Sequence, residues 1–116
     1  MELRLKRVYD EPEAGDGFRV LVDRLWPRGL TKERAALDLW AKEVAPSTEL
    51  RKAFHHGDMP WEAFADAYRA ELAGQTRAEV DALRQQLAGH EVVTLLHSVN
   101  DETHNHALIL RDALGR

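Results

Sequence analysis

One run, Val92-Val93-Thr94-Leu95-Leu96, is almost unbroken in its apolar character, and it constrains the fold more than any other feature of the chain. A half-buried strand alternates apolar and polar positions, whereas a continuous run reads as a strand covered on both faces, as in a parallel sheet between helices. The strand is expected over Glu91 to His97. Phe18-Arg19-Val20-Leu21-Val22 has the same β-branched, mostly apolar character and reads as a second inner strand ending at Asp23. Leu3 to Tyr9 alternates as a strand with one wet face does. The Pro, Gly and Asp of Asp10 to Gly17 mark a surface loop with almost nothing to bury. Leu37 to Val44 also alternates and reads as a short strand, although good helix formers surround it.

Helical signals separate these strands. Thr31 is placed to cap a short helix reaching Leu37, and Ser47 to cap one from Thr48 to about His55 with Glu49 in its positive first turn. Trp61, Phe64, Ala65, Tyr68 and Leu72 share one stripe at helical spacing, which assigns them to the core side of a helix ended by Gly74. Thr76 with Glu79 has the form of a capping box before Val80, Leu83 and Leu87. A last helix is expected to begin after Asp101, to pack Ala107, Leu110 and Leu114, and to stop at Gly115. Strands alternating with helices predict an α/β fold: a single small domain over residues 1–116, with a short parallel-rich sheet of about four strands flanked by helices.

Composition removes several chemistries. With no cysteine there is no thiol nucleophile, Cys-based zinc site, iron–sulfur cluster or disulfide framework, and nothing favours an oxidising compartment. The apolar runs are too short to cross a bilayer, and Met1 to Arg7 lacks the apolar core of a signal peptide, so no membrane association and a cytoplasmic location are expected. A formal net charge of −4 disfavours nucleic acid as the main partner, because such affinity is built on phosphate neutralisation. No sequence signal specifies an oligomeric state.

Ligands of open parallel sheets sit beyond the carboxyl ends of the strands. That rule selects Asp23 to Gly29, Lys42 to Ser47, and His97 to His106. Arg24, Arg28, Lys32 and Lys42, with the start of the helix after Ser47, supply charge-assisted donors and unpaired amides suited to phosphate. The alternative is that Arg24 and Arg28 bond to carboxylates or chain carbonyls and lock the Trp-Pro turn. Asp23 and Glu43 are the candidate acid/base groups, or else the neutralising partners of nearby cations. Ser47 fits a helix cap better than a nucleophile. His55-His56 and His104-Asn105-His106 lack the three- or four-residue spacing by which a helix presents metal ligands, so no metal and no cofactor are expected. Asn105 and His106 are better suited to orienting a ligand, and Trp26 to walling a pocket.

Taken together, Arg7-Val8-Tyr9-Asp10, Asp23-Arg24-Leu25-Trp26-Pro27-Arg28-Gly29, Trp40-Ala41-Lys42-Glu43-Val44-Ala45-Pro46-Ser47, Leu50-Arg51, Phe54-His55-His56 and Asn105-His106-Ala107 resemble the YeaO-like family, domain of unknown function 488. The likeness covers nearly the whole chain. It implies a compact α/β domain and a signature surface of Asp23, Arg24, Trp26, Arg28, Lys42, Glu43, Ser47 and Arg51. Where the family commonly has Tyr after its buried Thr-Leu-Leu strand, this chain has His97.

The expectation is therefore a small anionic ligand, phosphate-bearing or nucleotide-like, at the strand carboxyl ends. Arg24, Trp26, Arg28, Lys42, Ser47, Arg51, His97, Asn105 and His106 would bind it, and hydrolysis or group transfer would use Asp23 or Glu43. The alternatives are a non-catalytic regulatory or nucleic-acid-associated module and a protein-interaction domain anchored by Trp26.

Overall fold

A computed structural model describes residues 1–115, so the last residue of the expected 1–116 domain lies outside the described residues. Four strands form one parallel sheet: β1 (Glu2–Arg7), β2 (Phe18–Leu21), β3 (Leu39–Trp40) and β4 (Val92–His97), in the order β1-β4-β2-β3. β4 is thus an inner strand, as its unbroken apolar run requires. Alternation in β2 and β4 sends side chains to two cores. Val20, Val22, Val93 and Leu95 face the larger one, built with α2 (Thr48–His56), α3 (Trp61–Ala73), α4 (Arg77–Leu87) and α5 (His106–Leu114). Leu21 and Leu96 face the smaller one, with Val8, Leu30 and Ala35, the last of these on α1 (Lys32–Ala35).

Most boundaries follow the sequence closely, and three differ for identifiable reasons. α1 is capped by Thr31, whose Oγ1 accepts from Arg34 N at 3.1 Å, but it stops short of Leu37 because Ala36 adopts φ 47°. Arg19, only 5% exposed, donates to the carbonyls of Ala35 and Ala36 and holds that turn. The third strand is only two residues long. Its ladder closes when Ala41 N donates to Leu21 O at 2.8 Å, and Lys42–Val44 turns away as a 3-10 helix. The Thr76 capping box does not form: Thr76 sits at φ −103°, ψ 5° with no side-chain cap bond, and its N–H donates to Glu71 O in the turn from α3.

α5 starts after Asp101 as expected, at His106. Asn105 is its cap, accepting from Leu108 N at 3.1 Å, while Asp101 accepts from the amides of Thr103 and His104 and shapes the loop before it. All four strands run parallel, so their carboxyl ends share one edge of the sheet. A cavity opens at that edge.

Candidate functional site

A cavity of about 570 Å³ opens at this edge, within the size range of small-molecule sites. Tyr9, Asp23 and Ser98 line it from just beyond β1, β2 and β4, Ala45 and Pro46 from beyond β3, Arg51, Phe54 and His55 from α2, and Asn105 and His106 from the start of α5.

The loop after β2 is held by aromatic donors. Trp40 Nε1 donates to Asp23 O at 2.7 Å, Trp26 Nε1 to Leu30 O at 2.6 Å, and Tyr9 Oη to Arg28 O at 2.8 Å. Trp26 packs edge-on against Trp40, so it is both a wall of the cavity and part of the smaller core. Pro27 and Gly29 shape the bend itself, with Gly29 at φ 76°.

Asp23 lies at the inner end. It is 8% exposed, and its Oδ2 accepts from Ser98 N at 3.0 Å and from Ser98 Oγ at 2.6 Å. Its Oδ1 is 3.0 Å from His106 Nε2, which is also 3.2 Å from Val22 O. Both neighbours of Nε2 are acceptors, so the imidazole proton resides there. Burial opposes the Asp23 charge, but the His106 bond and charge and the two Ser98 donors outweigh it and hold the carboxyl below its ordinary range. Oδ2 is saturated by Ser98, whereas Oδ1 lies within ion-pair distance of His106 but is buried without a hydrogen bond among the described residues. The structure thus brings together two of the residues singled out in the sequence, Asp23 and His106.

Three guanidinium groups border the cavity, and none is paired with a carboxylate among the described residues. Arg24 spends Nε on Pro46 O at 3.0 Å and Nη2 on Ala45 O at 3.1 Å, which is the turn-locking alternative in part. Arg28 is exposed and makes no side-chain bond among the described residues. Arg51 is half-buried with its Nε buried and without a partner. A buried donor left unpaired by the protein is suited to an incoming acceptor.

Other expected residues lie elsewhere. Lys42 and Glu43 are exposed on the 3-10 turn outside the cavity lining, with Lys42 Nζ 5.1 Å from the Trp40 ring. Ser47 caps α2 by accepting from Leu50 N, its own N–H and Oγ donate to Glu71, and it lies outside the cavity lining. The α2 amides that were expected to cradle phosphate therefore do not reach the site; the helix contributes Arg51 instead. His97, 3% exposed, borders a different depression with Arg7 and Arg111. Burial, then the charge of His106, holds its pKa below the ordinary range, so it stays neutral. Asn105 lines the cavity but is occupied as cap and by donating Nδ2–H to Asp101 O. No group of three or more His, Asp or Glu among the described residues is arranged to hold a metal.

The sequence reading missed Ser98 and the aromatic side of the cavity. Ser98 had one available signal, its position directly after a buried strand. Trp61, assigned to the core by its stripe, is only half-buried and lines the cavity with Phe54, while Phe64 and Tyr68 on the same stripe are buried as expected.

Residues 2–116 match the family model described as "Inactive DUF488-N3 subclade". The chain is 51% identical over 114 residues to the uncharacterized protein YeaO of Escherichia coli, covering 98% of this chain and 97% of that one. It is 39% identical over 113 residues to the uncharacterized proteins Mb3100c of Mycobacterium bovis and Rv3073c of Mycobacterium tuberculosis, covering 97% of this chain and 93% of each. No solved structure matches it. With nearly every residue aligned to these relatives and to the family model, the chain belongs to the YeaO-like DUF488 family.

Proposed function

We propose that the protein binds a small phosphate-bearing anion in the cavity at the carboxyl edge of its sheet. The observation that carries this reading is the convergence there of Arg24, Arg28 and Arg51, none neutralised by a carboxylate among the described residues, in a chain whose formal net charge is −4. Cations without internal partners in a concave site favour an anion by charge-assisted hydrogen bonds.

Binding without turnover fits the residues better than hydrolysis or transfer. Asp23 is held ionised with Oδ2 taken by Ser98 and Oδ1 beside His106, Glu43 is exposed outside the cavity lining, and Ser47 is a cap. The word "inactive" in the family description supports the same preference. The anion-binding reading is preferred to a protein-interaction domain because Trp26 donates to Leu30 O and packs on Trp40. No helix among the described residues is long and apolar enough to cross a membrane. A cytoplasmic setting, suggested by the cysteine-free composition, is part of this proposal.

The test is a thermal-shift screen over inorganic phosphate, sugar phosphates and nucleotides, repeated with Arg28→Ala. At least one anion is expected to raise Tm in the native protein, and Arg28→Ala to shrink that rise. Equal shifts in both proteins, or none in either, would sink the reading.

A further inference from the structure

The cavity has a second wall that cations do not explain. Phe54 and Trp61, both half-buried, line it with ring centroids 6.2 Å apart. His104, on the exposed loop before α5, lays its imidazole 5.0 Å from the Trp61 ring at 32° between planes. Trp61 is reached from the cavity it lines, and an incoming ring takes the place of the exposed His104 imidazole. Core packing takes one side of each ring, since Trp61 lies 5.6 Å and Phe54 4.5 Å from the buried Phe64, and leaves both half-exposed along the cavity. Arg51 precedes Phe54 by three residues and His55 by four on α2, so one helix face presents a guanidinium and the edge of the aromatic wall together. At the inner end, the His106 and Asp23 pair offers polar groups to hydroxyl or amino substituents.

A phosphate or a sugar phosphate would satisfy the guanidinium groups and leave the aromatic wall wet. We propose that the occupant is a nucleoside monophosphate, its base against Trp61 and Phe54 and its phosphate at Arg28 and Arg51. This rests on the anion-binding reading above. Aromatic side chains accept any base by its π-face, so the wall selects for a ring and the cations select for charge, with little discrimination among bases.

Titration calorimetry of the full chain with adenosine monophosphate, ribose 5-phosphate and inorganic phosphate tests it. The nucleotide is expected to bind about ten-fold or more tightly than ribose 5-phosphate, the usual scale of one base–aromatic stack. Trp61→Leu should abolish that preference, whereas Arg28→Ala should weaken the binding of both compounds. Because Trp61 also touches the core, native-protein tryptophan fluorescence is read in parallel: the nucleotide should quench it and ribose 5-phosphate should not. Equal affinity for the two compounds, or a preference that survives both Trp61→Leu and Phe54→Leu, overturns the stacking proposal while anion binding stands. If none of the three compounds binds, both readings fall.

Discussion

Asp23 and His97 are buried at the ends of β2 and β4, and burial acts on them with opposite results. Asp23 keeps its charge because His106 and Ser98 outweigh desolvation; the His97 pKa is lowered because desolvation is joined by the electrostatic effect of His106 and Arg7. The pH windows follow. A histidine whose folded pKa is depressed is protonated first in the unfolded chain, so its stabilising contribution is complete above about pH 6.5 and is lost as pH falls below it. Unfolding free energy is expected to decline from about pH 7 to pH 5, and His97→Gln to flatten that decline. A slope unchanged by the substitution would rule His97 out as its source. Asp23 contributes in a lower window, above about pH 4, with its share lost as pH falls through the depressed folded value. Asp23→Asn removes the charged acceptor of Ser98 and His106 and should cost about 2 kcal/mol in urea denaturation at neutral pH. A variant as stable as the native protein would show that this buried pair contributes nothing net.

The elements differ in how far local chemistry alone determines them. Ser47 sets the start of α2, so Ser47→Ala should cost about 1 kcal/mol of stability, yet leave ligand affinity intact because Ser47 does not line the cavity. Lost binding with an unchanged helix content would return Ser47 to the site. Gly17 is determined by a close approach: at φ 65°, a Cβ there would sit 2.2 Å from Val92 O. Gly17→Ala should cost about 2 kcal/mol or more, and a neutral result would mean the β2 entry repacks freely. Strands β2 and β4 were legible because their apolar runs report burial directly. β3 was over-read because the alternation through Leu37, Leu39 and Ala41 is real, but only Leu39 and Trp40 find partners on β2. Thr76 was misread because a capping box presumes a free helix start, whereas its amide belongs to the turn from α3. In the site, the strand-end rule located Asp23, Arg24, Arg28 and His106. Phe54 and Trp61 were not found, because their exposure depends on where α2 and α3 settle on the sheet, which no local pattern records.

The cavity is assembled from the whole molecule: its walls run from Tyr9, near the end of β1, to His106 at the start of α5. Such a site exists only in the folded chain, so any ligand for it stabilises by mass action, by about 2.7 kcal/mol at a hundred times Kd. For a domain of 116 residues that corresponds to a rise in Tm of roughly 10 °C. The guanidinium groups that draw the ligand are embedded in a chain of net charge −4, so the attraction is local and screened by salt. The rise should therefore shrink as ionic strength increases. Hydrogen exchange provides the spatial control. Residues 23–28, 51–55 and 98–106 are far apart in sequence and meet only at the cavity, so a bound anion should protect all three together. Protection confined to Lys6, Arg7 and Arg111, which border the depression beside His97, would move the anion to the other side of that histidine and leave the strand-end cavity without a role.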